Sequence, residues 1–219
     1  MNTKAWVAIL ACLPLGACTG SLFKSTLSTP VAYVLSAAPA AAASAPAIPV
    51  DLRVMKPRVH PGLETERIAV KYPDRRLDFY AGAKWSGSLD DVLQDLTVQL
   101  FHQRANLRSV SVEGSRFTSG YWLEIEVEDF QAEYPAGAGV PGSGTAPVIK
   151  VHMFGHLGRA ADRAGLGSFE ASASQPASAD RLEPIVDAYE RAANQVLSEI
   201  VDGAVATLAG VAAATAAEH

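Results

Sequence analysis

Cysteine is nearly absent from this chain, which has only Cys12 and Cys18 among 219 residues. A disulfide-stapled scaffold is excluded, because small disulfide folds carry several pairs. Positive charge is also short, with 18 Lys and Arg against 23 Asp and Glu and a net charge of -5. That balance argues against nucleic acid, whose binding depends on neutralising phosphates. No apolar run reaches the roughly 20 residues that a bilayer-spanning helix needs. The longest candidate, from Ala5 to Leu15, has the length of a signal-peptide core and follows the lone charge of Lys4.

Catalytic signatures are missing too. The strings "PGSGT" and "GLGSFE" lack the glycine spacing of a nucleophile elbow, so a serine hydrolase is not indicated. The glycine-rich stretch at residues 137 to 144 has no following Gly-Lys-Ser/Thr and lies between two strand patterns, which makes it a hairpin tip rather than a phosphate cradle. His152 and His156 are four residues apart but fall in a strand pattern. There they stand roughly 13 Å apart, too far to share one metal. Glu124, Glu126 and Glu128 alternate with Leu123, Ile125 and Val127, the wet face of a half-buried strand rather than an acid/base set. No catalytic, cofactor or metal site is therefore assigned, and the chain is not expected to be an enzyme.

What is present begins at "LPLGAC", residues 13 to 18. Large apolar, small, small and cysteine, directly after a signal-type apolar run, resembles the lipobox of bacterial lipoproteins. In that class the cysteine is lipidated and becomes the new N-terminus. The resemblance implies a signal peptide over 1–17, lipid attachment at Cys18 and loss of Cys12 with the leader. One acyl chain, such as palmitate, holds a protein only marginally, whereas the three chains of this class anchor it stably. Thr19 follows the cysteine where inner-membrane retention uses aspartate, so the resemblance favours the outer membrane, facing the periplasm.

A tether over 18–30 leads to "VAYVLS", a first strand, and then to an Ala/Pro-rich insertion over 37–49, whose prolines disfavour helix. That loop is long enough to let the first strand join a distant sheet edge. Period-2 alternation then predicts strands at 50–55, "RIAVKY", "RLDFYA", "LRSVSV", "YWLEIEVEDF", 147–157 and 167–174. Residues 121–157 form one long antiparallel hairpin. Two helical patterns interrupt the strands: Leu89 to Gln103, capped by Ser88 with Asp91, and a helix after Asp180 with Glu183 at the capping-box position. Trp85 reads as a core anchor at the strand-to-helix turn. The second helix carries a stripe from Leu182 to Leu208 that packs on the sheet; its polar face lacks the basic residues of a membrane-surface helix. The implied fold is α+β: one domain over 31–208 with a mixed, mostly antiparallel sheet and two main amphipathic helices, then a flexible tail over 209–219.

Taken in order, "YVL", "PGLETERIAVKY", "GAKWSGSLDDVLQDLTVQL", the glutamate-alternating strand and the terminal helix resemble the auxiliary lipoproteins of ABC-type transport systems, the PqiC-like group associated with MCE (mammalian cell entry) proteins. The resemblance covers 31–208 and implies a sandwich like the anticodon-binding or TolB N-terminal architecture. It further implies a non-catalytic subunit that helps move phospholipid between the inner and outer membranes, with an MCE-domain protein and an ABC permease and ATPase as partners and a homo-oligomeric ring as one arrangement. Two other readings remain open: an envelope-assembly or structural lipoprotein that binds periplasmic proteins, and a small periplasmic lipid-binding protein.

Overall fold

The structure is a computed structural model that describes residues 29–39, 47–137, 142 and 144–217. The lipobox, with Cys18, and most of the tether lie outside the described residues. Nine strands and two helices follow in the order β1 (Val31–Tyr33), β2 (Ile48–Val54), β3 (Arg58–Val59), β4 (Arg67–Lys71), β5 (Leu77–Trp85), α1 (Leu89–Arg104), β6 (Leu107–Val112), β7 (Tyr121–Glu133), β8 (Val148–Arg159), β9 (Gly165–Pro176) and α2 (Leu182–Ala217). All nine strands join one mixed sheet.

β7 is the spine of that sheet. Along one side it pairs antiparallel with β8, which pairs antiparallel with β9. Along the other side three short strands lie in series, all parallel to it: β2 beside Tyr121–Leu123, β3 beside Glu126 and Val127, and β4 beside Ala132 and Glu133. The sheet then forks, with β6 beyond β2 and β5 and β1 beyond β4. The long ladders are antiparallel and the parallel pairings are short. The first strand, β1, sits on the edge beyond β5, far from β2, as its long connection permits.

Helices α1 and α2 cover one face of the sheet and touch each other. Alternation sends Leu123, Ile125 and Val127 of β7 and Ile149, Val151 and Met153 of β8 under them, all fully buried. The phase of β7 then has to change, because Val127 and Phe130 are three residues apart yet both are buried. A bulge at Glu128, where the register jumps from Val127↔Met153 to Asp129↔His152, supplies the extra residue and keeps Phe130 inside. Trp85 packs edge-on against Phe130 and Tyr189, with ring centroids 6.0 and 5.3 Å away, so it is the core anchor its position suggests. The Tyr189 hydroxyl donates to the Ala69 carbonyl, and full burial pushes that hydroxyl's pKa far up.

Several local details depart from the sequence reading. β2 starts at Ile48, and Ser36, Ala37 and Ala38 are held on the helices, so the insertion expected over 37–49 is shorter. Asn194 of α2 accepts the Ala38 N–H at 2.7 Å and donates to the Ser36 carbonyl at 2.9 Å, while Leu35 is buried beside them. Ser88 stands at the α1 N-cap, but its hydroxyl donates to the Asp90 and Asp91 carboxylates instead of accepting a helix N–H. Asp180 does not serve as the α2 cap; it accepts from the Tyr134 hydroxyl and the Gly144 N–H. The tail expected to be flexible from 209 is helical through Ala217, although its burial ends at Leu208. By length and composition α2 is apolar enough to cross a membrane, with 22 % of its most apolar window buried. The exposed remainder of that window is mostly alanine and glycine.

Candidate functional site

Among the described residues no helix or strand covers the sheet face opposite the helices, and Arg58, Glu124, Glu126, His152 and His156 gather there. Arg58, beside β7, bridges Glu124 at 3.0 Å and Glu126 at 3.4 Å, and His156 stands 3.9 Å from Glu126. The three glutamates therefore separate: two are ion-paired and the third, Glu128, is the bulge residue. His152 contacts Glu170 at 3.0 Å and His156 contacts Ser168 at 3.2 Å, both across to β9. The histidines share a strand face but have different partners. Among the described residues no group of three His, Cys, Asp or Glu could hold a metal.

Trp122 was not singled out by the sequence, and it is the most distinctive residue on this face. Its indole lies directly on Gly158, its cross-strand neighbour, where a Cβ would come within 2.1 Å of the ring. Only glycine leaves room for that contact. The loop at 113–120, joining β6 to β7, crosses the open face over β2: Gly120 N–H donates to the Asp51 carbonyl, and the Arg53 guanidinium donates to the Phe117 carbonyl at 2.6 Å. Between this loop and the β8–β9 turn lies a depression of about 530 Å³ floored by Trp122 and Met55, with Arg53, Ser119, Glu124 and Arg163 around it. Phe117 on the crossing loop is 73 % exposed.

A second charged cluster fixes the start of α1. Lys56 reaches Asp90 at 3.0 Å and Asp91 at 2.7 Å. The Asp91 carboxyl is held below its ordinary range by its hydrogen bonds with Lys56 and Ser88. Burial pushes Asp90 up, but the Ser88 and Lys56 hydrogen bonds outweigh it and the net shift is downward. Lys56 is raised in turn by the two carboxylates, Asp91 first. A negative pair in the first helical turn also suits the helix dipole. This cluster is structural and joins β2 to α1.

The described residues thus combine a filled core with an open sheet face that carries paired charges. The sequence carries the assignment: the profile of the ABC-type transport auxiliary lipoprotein component family matches residues 33–201, so the chain belongs to that family. It is thus an envelope lipoprotein of the kind that serves ABC-type transport. A Xanthomonas campestris protein of the DUF330 family has a similar crystal structure, with a TM-score of 0.67 and 24% identity over 85% of this chain and 97% of that one. A second crystal structure, of an uncharacterized protein, gives a TM-score of 0.58 at 17% identity, covering 80% of this chain and 99% of the other. These two likenesses speak for the fold alone. No curated protein matches the chain in sequence.

Proposed function

We propose that this protein is a non-catalytic auxiliary subunit of an MCE/ABC system that moves phospholipid between the inner and outer membranes, anchored through Cys18 to the periplasmic face of the outer membrane. The observation that carries the reading is the family match over residues 33–201, joined to the lipobox that ends at Cys18. The partner ATPase supplies the energy, and this chain supplies a folded surface tethered close to its partner, where the tether raises effective concentration. The space between sheet and helices favours this over a carrier that encloses lipid, because Leu52, Ile125, Leu96 and Leu197 fill it with fully buried side chains.

Affinity purification of the native lipoprotein from crosslinked membranes, beside a Cys18→Ala control, tests the reading. An MCE protein and its ATPase are expected with the parent and depleted with the control. Recovery of other envelope proteins without any transporter component overturns it in favour of an assembly factor.

A further inference from the structure

We propose that the depression beside Trp122 binds a phosphate-bearing anion whose apolar portion rests on the indole. Its volume of about 530 Å³ falls in the range of small-ligand sites. Its chemistry is divided as an amphiphile requires, with an aromatic ring and a thioether on the floor and guanidinium groups on two sides. Cross-strand order puts Arg53, the β2 neighbour of Trp122, on one flank; Arg163, in the turn beyond Gly158, is on the other.

Neither arginine is explained by its present contacts. Among the described residues, neither has a carboxylate within ion-pair distance, although the chain is acidic overall. Arg53 gives one bond to the Phe117 carbonyl, and its buried Nε has no acceptor among the described residues. A buried charged donor left unsatisfied is costly, which is why most such groups are paired. Arg163 is exposed and sits at φ 58, in the left-handed region where glycine or asparagine is unstrained. The turn itself therefore does not select arginine. Glu124 is the one carboxylate on the lining, and Arg58 engages it at 3.0 Å.

Two guanidinium groups flanking one space suit an anion with oxygens directed to both sides, and a phosphate monoester presents three oxygens in a tetrahedral spread against the two coplanar oxygens of a carboxylate. Trp122 and Met55 then take the carbon skeleton. Free phosphate esters and lipid headgroups share this chemistry. The lipid headgroup is the preferred source, and that choice alone rests on the transport reading above.

The test uses the full chain in micelles of an uncharged detergent, titrated separately with inorganic phosphate and with dihexanoylphosphatidic acid. Trp122 fluorescence is taken as the difference between the parent and Trp122→Phe. A saturable change is expected with the phospholipid at an affinity at least tenfold above that for inorganic phosphate. Arg163→Asn, which suits the left-handed backbone, weakens it at least tenfold, and Arg53→Gln does the same where near-UV circular dichroism shows the native fold. Equal affinity for both probes, still lost in Arg163→Asn, keeps the phosphate site and makes free phosphate its source. No saturable change with either probe up to millimolar concentration, or unchanged affinity in Arg163→Asn, overturns the proposal. The measurement involves no transporter, so its failure is distinct from a failure to recover MCE and ATPase partners.

Discussion

Replacing Gly155 with alanine tests how α2 is seated on the sheet. Gly155 lies on the core side of β8, and a Cβ there would stand 2.5 Å from Cγ2 of Ile200 and 3.5 Å from the Phe169 ring. Relief of the first contact takes about 1 Å of movement, and Ile200 is fully buried within a long helix that also packs on β9. Overpacking of this kind costs about 1–3 kcal/mol, which for a domain of this size lowers Tm by on the order of 5 °C. Ile200→Ala alone opens a cavity and costs about 2–5 kcal/mol. In the double variant the new methyl enters the space that Ile200 vacated, so the combined loss should fall short of the sum by roughly 1–2 kcal/mol. Urea unfolding of the four proteins, followed by far-UV circular dichroism, measures the coupling. Additive losses within about 0.5 kcal/mol would refute close seating of α2 at this glycine.

Other contacts give further expectations. Tyr189→Phe removes the buried hydroxyl that donates to the Ala69 carbonyl, for a loss of about 0.5–1.5 kcal/mol by urea unfolding; an unchanged midpoint would count against the bond. Asp90 and Asp91 have depressed pKa values, so their contribution is present above the unfolded value of 3.8 and is lost as pH falls through the lower folded values. Lys56, raised from 10.5, contributes below that value and loses its contribution only as pH rises beyond it. The stability gap between the parent and Lys56→Met should therefore be about 1 kcal/mol or less at pH 6 and shrink toward pH 2, and a gap independent of pH would contradict the pairing. Asn194→Ala should speed hydrogen exchange at residues 33–38 with little change in β7 and β8, whereas unchanged exchange there would show that Asn194 does not hold the segment.

Much of the fold could be read in advance because it depends on local periodicity. The β7–β8 hairpin, both helices and the burial of Trp85 follow from alternation, helical spacing and residue size. β3 escaped because two residues, Arg58 and Val59, carry no period; the strand exists only because β7 offers an edge between β2 and β4. The bulge at Glu128 was written in the sequence as a break in phase between Val127 and Phe130, a signal visible once both are required to be buried. Trp122 was hidden differently. It occupies a wet-face position in a strand where glutamates dominate, and its setting depends on Gly158, 36 residues away, being its cross-strand partner. Register is a nonlocal property, so the depression could not be assembled from the sequence alone. Asp180 shows the reverse case, in which a sound local capping signal was overridden by Tyr134 from a distant strand.

The placement of β1 bears on how an anchored domain finds its partner. Twelve residues lie between Cys18, the proposed lipid attachment site, and Val31, and the thirteen steps of chain reach at most about 45 Å. The 36-residue helix α2 is itself about 54 Å long. A tether of nearly the domain's own dimension limits distance from the membrane without dictating which face turns toward it. Orientation then has to come from a second contact made by the folded surface. The helical face is poorly suited at its centre, where the 34–38 segment crosses α1 and α2 through Gln99 and Asn194. The open sheet face retains Trp122, Phe117 and two arginines that have no carboxylate partner among the described residues, and aromatic residues with arginine are the composition that concentrates binding energy at interfaces. The proposed recruitment through Cys18 and the proposed orientation by the open face are therefore separable. Cys18→Ala should abolish membrane retention and leave the Trp122 site intact, while Arg163→Asn should weaken the site and leave retention unchanged; parallel loss of both in either variant would show that the two functions are not independent.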